Sequence, residues 1–395
     1  MSAAVPQTKA ELAYGGVMLP HARMEDWRWT NLRTLIDKPY PPRIEAAASP
    51  AEIERLLKSS PFARIAGARI VFVNGRYDAA HSRFAGLTLT PGLAPARADG
   101  PIVSLNKAFA TEGVHLHLDG TADTPVEIVH IATAGEARTL ATRNVIEIAA
   151  NASATVIETH LGAGEYLTNA VSEIIVNEGA RLDRIKIELE ASDAIHLSHA
   201  LVTLKGRATL RDFTLTSGAR VNRQNGNYVF EGEGADARIS GAYLLAGKQH
   251  ADTRLVVEHR VPKCVSREMF KCVMDGNARG IFQGKVVVAR DAQKTDGKQS
   301  SHALLLSDTA EFDAKPELEI FADDVVCGHG ATSGDIDHNH LFYLRSRGIP
   351  EPTAKSMLIA AFVGEAFEHI DHDGIRAELE RFAENWLTDH ERPAA

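Results

Sequence analysis

Between about residues 114 and 334, short apolar runs recur at near-regular spacing, separated by Gly, Asn, Asp and Ser. Within the runs the period is two. In RLDRIKIELE, Ile185, Ile187 and Leu189 alternate with Arg184, Lys186 and Glu188; in ARISGAYLL, Ile239, Gly241, Tyr243 and Leu245 alternate with polar or small residues. Successive side chains of a strand point to opposite faces, so this pattern predicts strands with one buried face. A turn containing Gly or Asn, then Ala, then an apolar residue recurs in NEGARLDRI, LKGRATLRDF, GEGADARISG and DGNARGIFQG. The first three lie about 28 to 29 residues apart, in the range of solenoid repeats. Helix signals are nearly absent across this zone. A sandwich fits part of the pattern, but the repeat, the small inward residues and the length favour a right-handed parallel β-helix.

The flanks read differently. Residues 1–113 form a mixed α/β region. Ser49 and Pro50 precede AEIERLLKSS, an N-cap and a first-turn proline ahead of Ile53, Leu56 and Leu57 on one helical face. Arg69 to Asp78 is an apolar strand running into an Asn74-Gly75 hairpin turn. RMEDWRWTNL places Trp27 and Trp29 on one side of an extended stretch, where they would anchor this region to the rest. With the β-helix core assigned to 114–334, residues 335–395 form a helical cap. It is predicted from DIDHNHLFYLRSRG, TAKSMLIAAFVGEAFEHI and GIRAELERFAENWLTDH, each with apolar residues near helical spacing.

Composition narrows the function. Hydrophobic residues make up 44% and charged residues 24% of the chain, ordinary globular material, but aromatics only 6%. The net charge of -9 and the lack of a long Lys/Arg run argue against nucleic acid, which demands a basic stripe. No apolar run approaches the ~18 residues of a membrane span and the N-terminus does not read as a signal peptide, so a cytoplasmic protein is expected. There is no Walker motif, GxSxG or HExxH. The three cysteines, Cys264, Cys272 and Cys327, contain no CxxC pair and fall short of the four thiolates that usually hold a cluster. Any iron–sulfur role therefore requires ligands shared with a partner.

Within KPELEIFADDVVCGHGATSGDI, Cys327 and His329 form a Cys-x-His pair among glycines. Residues two apart on a strand share a face, so thiol and imidazole could meet one ion or one partner surface, and glycines would admit a second chain closely. The bland alternative is a buried thiol and a hydrogen-bonded histidine. Cys264 and Cys272 read as structural. Asp335 to His340 reads as an acidic first turn more than a metal tract, and His115 and His117 as a solvent face more than a chelate.

The run HALLLSDTAEFDAKPELEIFADDVVCGHGATSGDI followed by LFYLRSRGI resembles the C-terminal signature of the SufB/SufD family of iron–sulfur cluster assembly scaffolds. A weaker likeness extends over the β-rich region and to EDWRWTNL. Within the family the chain is similar to the SufD branch. SufB-type sequences carry an acidic residue where Cys327 stands, have a cysteine where this chain has Ser301, and are longer. The resemblance implies a non-catalytic subunit pairing with SufB through the end of the β-helix, its C-terminal helices docking the ATPase SufC. Alone, the chain could homodimerise. It implies a transient iron–sulfur cluster shared with SufB, with His329 and Cys327 at the interface and no permanently bound cofactor. A β-helical carbohydrate lyase or hydrolase, and a purely structural subunit, are the competing expectations.

Overall fold

The period-two segments build two long sheets that the chain visits alternately. The computed structural model describes residues 7–42, 48–65, 67–84, 86–122 and 124–390. The first sheet runs from Val326–Gly334 through Asp296–Leu305, Val265–Met274, Asp236–Leu245, Thr209–Thr216, Arg181–Leu189, Ser153–Gly162 and Val126–Ala132 to Ala68–Val73 and Arg76–Tyr77. The second runs from Glu311–Ile320 through Arg279–Val288, His250–His259, Val221–Phe230, Ile195–Leu204, Leu167–Val176 and Thr139–Ile148 to Val114–Leu118 and Thr88–Pro91. All neighbours pair in parallel except two antiparallel N-terminal pairs, the hairpin of Ala68–Val73 with Arg76–Tyr77 and the contact of Thr88–Pro91 with Val114–Leu118. The result is a parallel β-solenoid of two-strand coils, and its first sheet begins N-terminal of residue 114, at Ala68.

One corner explains the sequence repeat. Asn151, Gly179, Arg207, Gly234, Lys263 and Lys294 all have positive φ. Each amide donates to the next coil, as in Gly179 N to Gly206 O and Arg207 N to Glu233 O, both within 2.9 Å. The residue after each is small and buried: Ala152, Ala180, Ala208, Ala235, Cys264 and Thr295. A left-handed corner admits glycine freely and other residues at a cost, and the stacked coils leave no room for a larger side chain after it. Cys264 stands where other coils have Ala, so it is structural. The fourth repeat, DGNARGIFQG, precedes a strand of the second sheet, Arg279–Val288, so it belongs to a different corner.

The expectation of one buried face is corrected. Ile185 and Ile187 point outward but are covered by the C-terminal helices, in a cluster with Phe213, Leu215, Leu244, Ile359, Phe367 and Ile375. Arg184, Lys186 and Glu188 point into the solenoid lumen and are equally buried. Charge is tolerated there because it is paired: Arg184 bridges Glu158 at 2.7 Å and Asp212 at 3.0 Å. The lumen is thus split, with Leu182, Val156, Val202, Phe230 and Val257 filling an apolar half.

The predicted helices are present. Pro50–Ser59 packs Ile53, Leu56 and Leu57 on outward-facing Val71 and Val129. Asp337 caps His338–Ser346 by accepting from the amides of Asn339 and His340; Glu351–Gly364 and Asp373–His390 follow. Residues 25–27 form a short 3-10 turn where an extended stretch was expected. Such a turn rotates residues two apart away from each other. Trp27 is buried beneath the Arg223 guanidinium, 4.4 Å from the ring centroid, whereas Trp29 is half-exposed beside Arg28. Trp27 therefore does anchor the N-terminal arm, and Arg223 itself pairs with Asp252.

Candidate functional site

Val326–Gly334 is the last strand of its sheet. It pairs with Asp296–Leu305 on one side and its other edge is open. Glu311–Ile320 ends the second sheet likewise. Both strands are half-buried to exposed along their length. An open parallel edge presents unpaired backbone groups that favour pairing with another chain. Beside it, Ile320, Phe321 and Val326 are 40%, 63% and 61% exposed.

Register fixes where the side chains point. Gly297, Gln299, Ser301 and Ala303 face the lumen, and their partners are Cys327, His329, Ala331 and Ser333. Cys327 and His329 therefore share the lumenal face of the terminal strand. Cys327 is half-buried, its sulfur over Gly297, and burial pushes its thiol up despite a backbone hydrogen bond from Gly297. His329 is exposed at the rim. Beneath it runs a file that sequence reading missed, with Glu268, Gln299 and His329 in register on adjacent strands. Both carboxylate oxygens of Glu268 and both amide atoms of Gln299 are buried without a hydrogen-bond partner, and burial pushes the Glu268 carboxyl up to about 8. The available signal was a carboxylate at an inward position of REMFKCVM, in step with Phe270, Cys272 and Met274.

Other candidates fall elsewhere. Cys272 is buried in the lumen, its thiol pushed up by desolvation. Ser301 is buried and lumenal. His115 and His117 share the outward face of their strand, 3.3 and 3.5 Å from one Glu147 oxygen. Asp335, His338 and His340 lie exposed at the start of a helix that Asp337 caps. On the helical cap, Phe342, Tyr343 and Met357 are 74%, 56% and 48% exposed, while Leu341 between cap and solenoid is buried. Among the described residues no helix is long and apolar enough to cross a membrane.

Fold and site define a class: a parallel β-solenoid with one open end, carrying a thiol and an imidazole at that end and a helical cap on its flank. The chain matches the family described as SUF system FeS cluster assembly, SufBD core domain, over residues 130–362. It is 32% identical over 376 residues to the iron–sulfur cluster assembly protein SufD of Escherichia coli K12, covering 91% of this chain and 88% of that one. It is 27% identical to a SufBD-family assembly protein of Synechocystis, covering 92% and 87%. A SufBD-family protein of Mycobacterium leprae is 36% identical over 60% of this chain and 62% of its own. The chain belongs to the SufBD family of iron–sulfur cluster assembly proteins, as a SufD homologue.

Proposed function

We propose that this chain is a non-catalytic scaffold subunit that meets a SufB-type partner at the open end of its solenoid and there lends His329 to a nascent cluster. The observation that carries this reading is the pairing of Cys327 and His329 on one face of a terminal strand with an open edge, beside exposed Ile320, Phe321 and Val326. The cluster is cargo, and a scaffold must release it. A site completed by two chains, with a replaceable imidazole, binds less permanently than a closed four-thiolate cage. Burial favours the protonated thiol of Cys327, so the exposed imidazole is the first ligand and the thiol the second. The helical cap, with Phe342, Tyr343 and Met357 outward, supplies the docking face for a SufC-type ATPase.

The test is co-expression with SufB and SufC, purification of the complex, and anaerobic cluster reconstitution followed by spectroscopy. His329→Ala is expected to leave the complex assembled and to cut cluster yield several-fold, with Cys327→Ser having the smaller effect. A yield equal to wild type in the His329 variant would remove this residue from the site.

A further inference from the structure

Deep in the lumen, several coils away from the terminal strand, three ligand-type side chains converge. His160, Glu190 and His196 are all buried, and a ring nitrogen or carboxylate oxygen from each lies within 4.8 Å of the other two. They come from three separate places. His160 is on the strand Ser153–Gly162, Glu190 at the corner just past Arg181–Leu189, and His196 near the start of Ile195–Leu204 in the opposite sheet.

The side chains are held in place. His160 is stacked on His130 at 4.6 Å, and His130 on Phe72 at 4.9 Å, both nearly parallel. This ladder follows the strand register, Phe72 to His130 to His160, and fixes the His160 ring plane. Thr168 Oγ1 donates to Glu190 Oε1 at 2.7 Å, leaving Oε2 toward His196 Nδ1, 2.8 Å away. The other ring nitrogen of His196 is 2.9 Å from Glu188 Oε1. That is the arrangement by which a carboxylate orients and polarises a metal-bound imidazole.

Two further observations point to a ligand. Neither nitrogen of His160 has a hydrogen-bond partner, although both are buried. A buried polar group left unpaired forfeits its hydration without compensation, so an aromatic hydrocarbon would serve the stack better unless the nitrogens bind something. A cavity of about 20 Å³ borders His130, His160, Thr168 and Glu190, room for one water-sized ligand.

We propose that His160, Glu190 and His196 form an interior site for a divalent first-row transition metal, with a water as fourth ligand in the adjoining cavity. Two imidazoles and a carboxylate suit Fe²⁺ or Zn²⁺ and not the hard, oxygen-seeking Mg²⁺ or Ca²⁺. Because all three ligands are buried, the ion enters as the coils close around it and stabilises the fold. The site stands apart from Cys327 and His329 at the rim.

The test uses the full chain in a His329→Ala, Cys327→Ser background, so that metal at the rim is not counted. Cells are grown in minimal medium supplemented with iron in one arm and zinc in the other, and the protein is purified anaerobically. Metal analysis is expected to give about one equivalent per chain in one arm, retained through dialysis against EDTA and released on unfolding in urea. The arm that loads identifies the ion. His160→Phe preserves the stack and is expected to abolish the metal and lower the urea midpoint. Thr168→Val, which frees the Glu190 carboxylate, is expected to weaken retention about tenfold and keeps the test decisive should the first variant fail to fold. Metal-free protein in both arms would overturn the proposal. So would undiminished metal in a folded His160→Phe, or a His160→Phe more stable than its parent, the result expected if the nitrogens are merely unpaired.

Discussion

At the scale of single residues, the lumen is where chemistry departs from expectation. Glu268 has no partner for either oxygen, and burial alone pushes its carboxyl from 4.5 to about 8. Its folded value lies above that of the unfolded chain. The stability it carries is therefore complete below about pH 4.5 and is lost as pH rises through about 8. His199, His250, His259 and His369 have the opposite sign. Desolvation pushes each down from 6.5 to about 4, so their contribution is complete above pH 6.5 and is lost as pH falls toward 4. Between pH 6.5 and 8 Glu268 acts without them. Glu268→Gln, which stays neutral, is expected to flatten the fall in stability across that window, a difference on the order of 1–2 kcal/mol in urea unfolding. Identical pH slopes in the two proteins would show that the wild-type carboxylate is already ionised at neutral pH.

At the scale of elements, the coil is set by its corners. Ala208 follows Arg207, which holds a positive φ of 55°, and is fully buried against the coils on either side. The amide of Ala208 donates to Lys205 O at 3.1 Å and that of Thr209 to Ala180 O at 2.8 Å, so the corner cannot move outward without breaking the stack. Ala208→Leu is expected to cost about 1–3 kcal/mol by overpacking. Thermal denaturation checks this against Ala80→Leu, a control whose host residue lies exposed in a loop. Equal losses at the two positions would mean that the corner is looser than its packing implies. The same logic reads Cys264 without invoking chemistry, since a thiol is the next small apolar side chain after a methyl.

At the scale of the whole molecule, the helical cap is both a cover and a surface. It shields Ile185, Ile187, Phe213, Leu215, Leu244 and Val273, so removing everything after Ile336 would strip an apolar face and invite aggregation. Docking is better probed by Phe342→Ala with Tyr343→Ala, since both side chains are exposed. Melting temperature is expected to hold, with stability within about 0.5 kcal/mol of wild type, while co-purification with a SufC-type ATPase is lost. Full retention of the ATPase would place its docking face elsewhere. Much of this architecture was legible in the chain. Period-two runs and a repeat of about 28 residues specify stacked parallel strands, because side-chain alternation and corner sterics are local properties. The Cys-x-His spacing likewise put Cys327 and His329 on one face. What alternation cannot say is which face is inside. Ile187 and Lys186 are both buried, one under helices that come far later in the chain and one in the lumen, and only the closed tertiary structure provides those two covers. The gathering of His160, Glu190 and His196 was hidden for the same reason: coil stacking and the crossing between sheets bring them together, and no spacing along the sequence encodes that meeting.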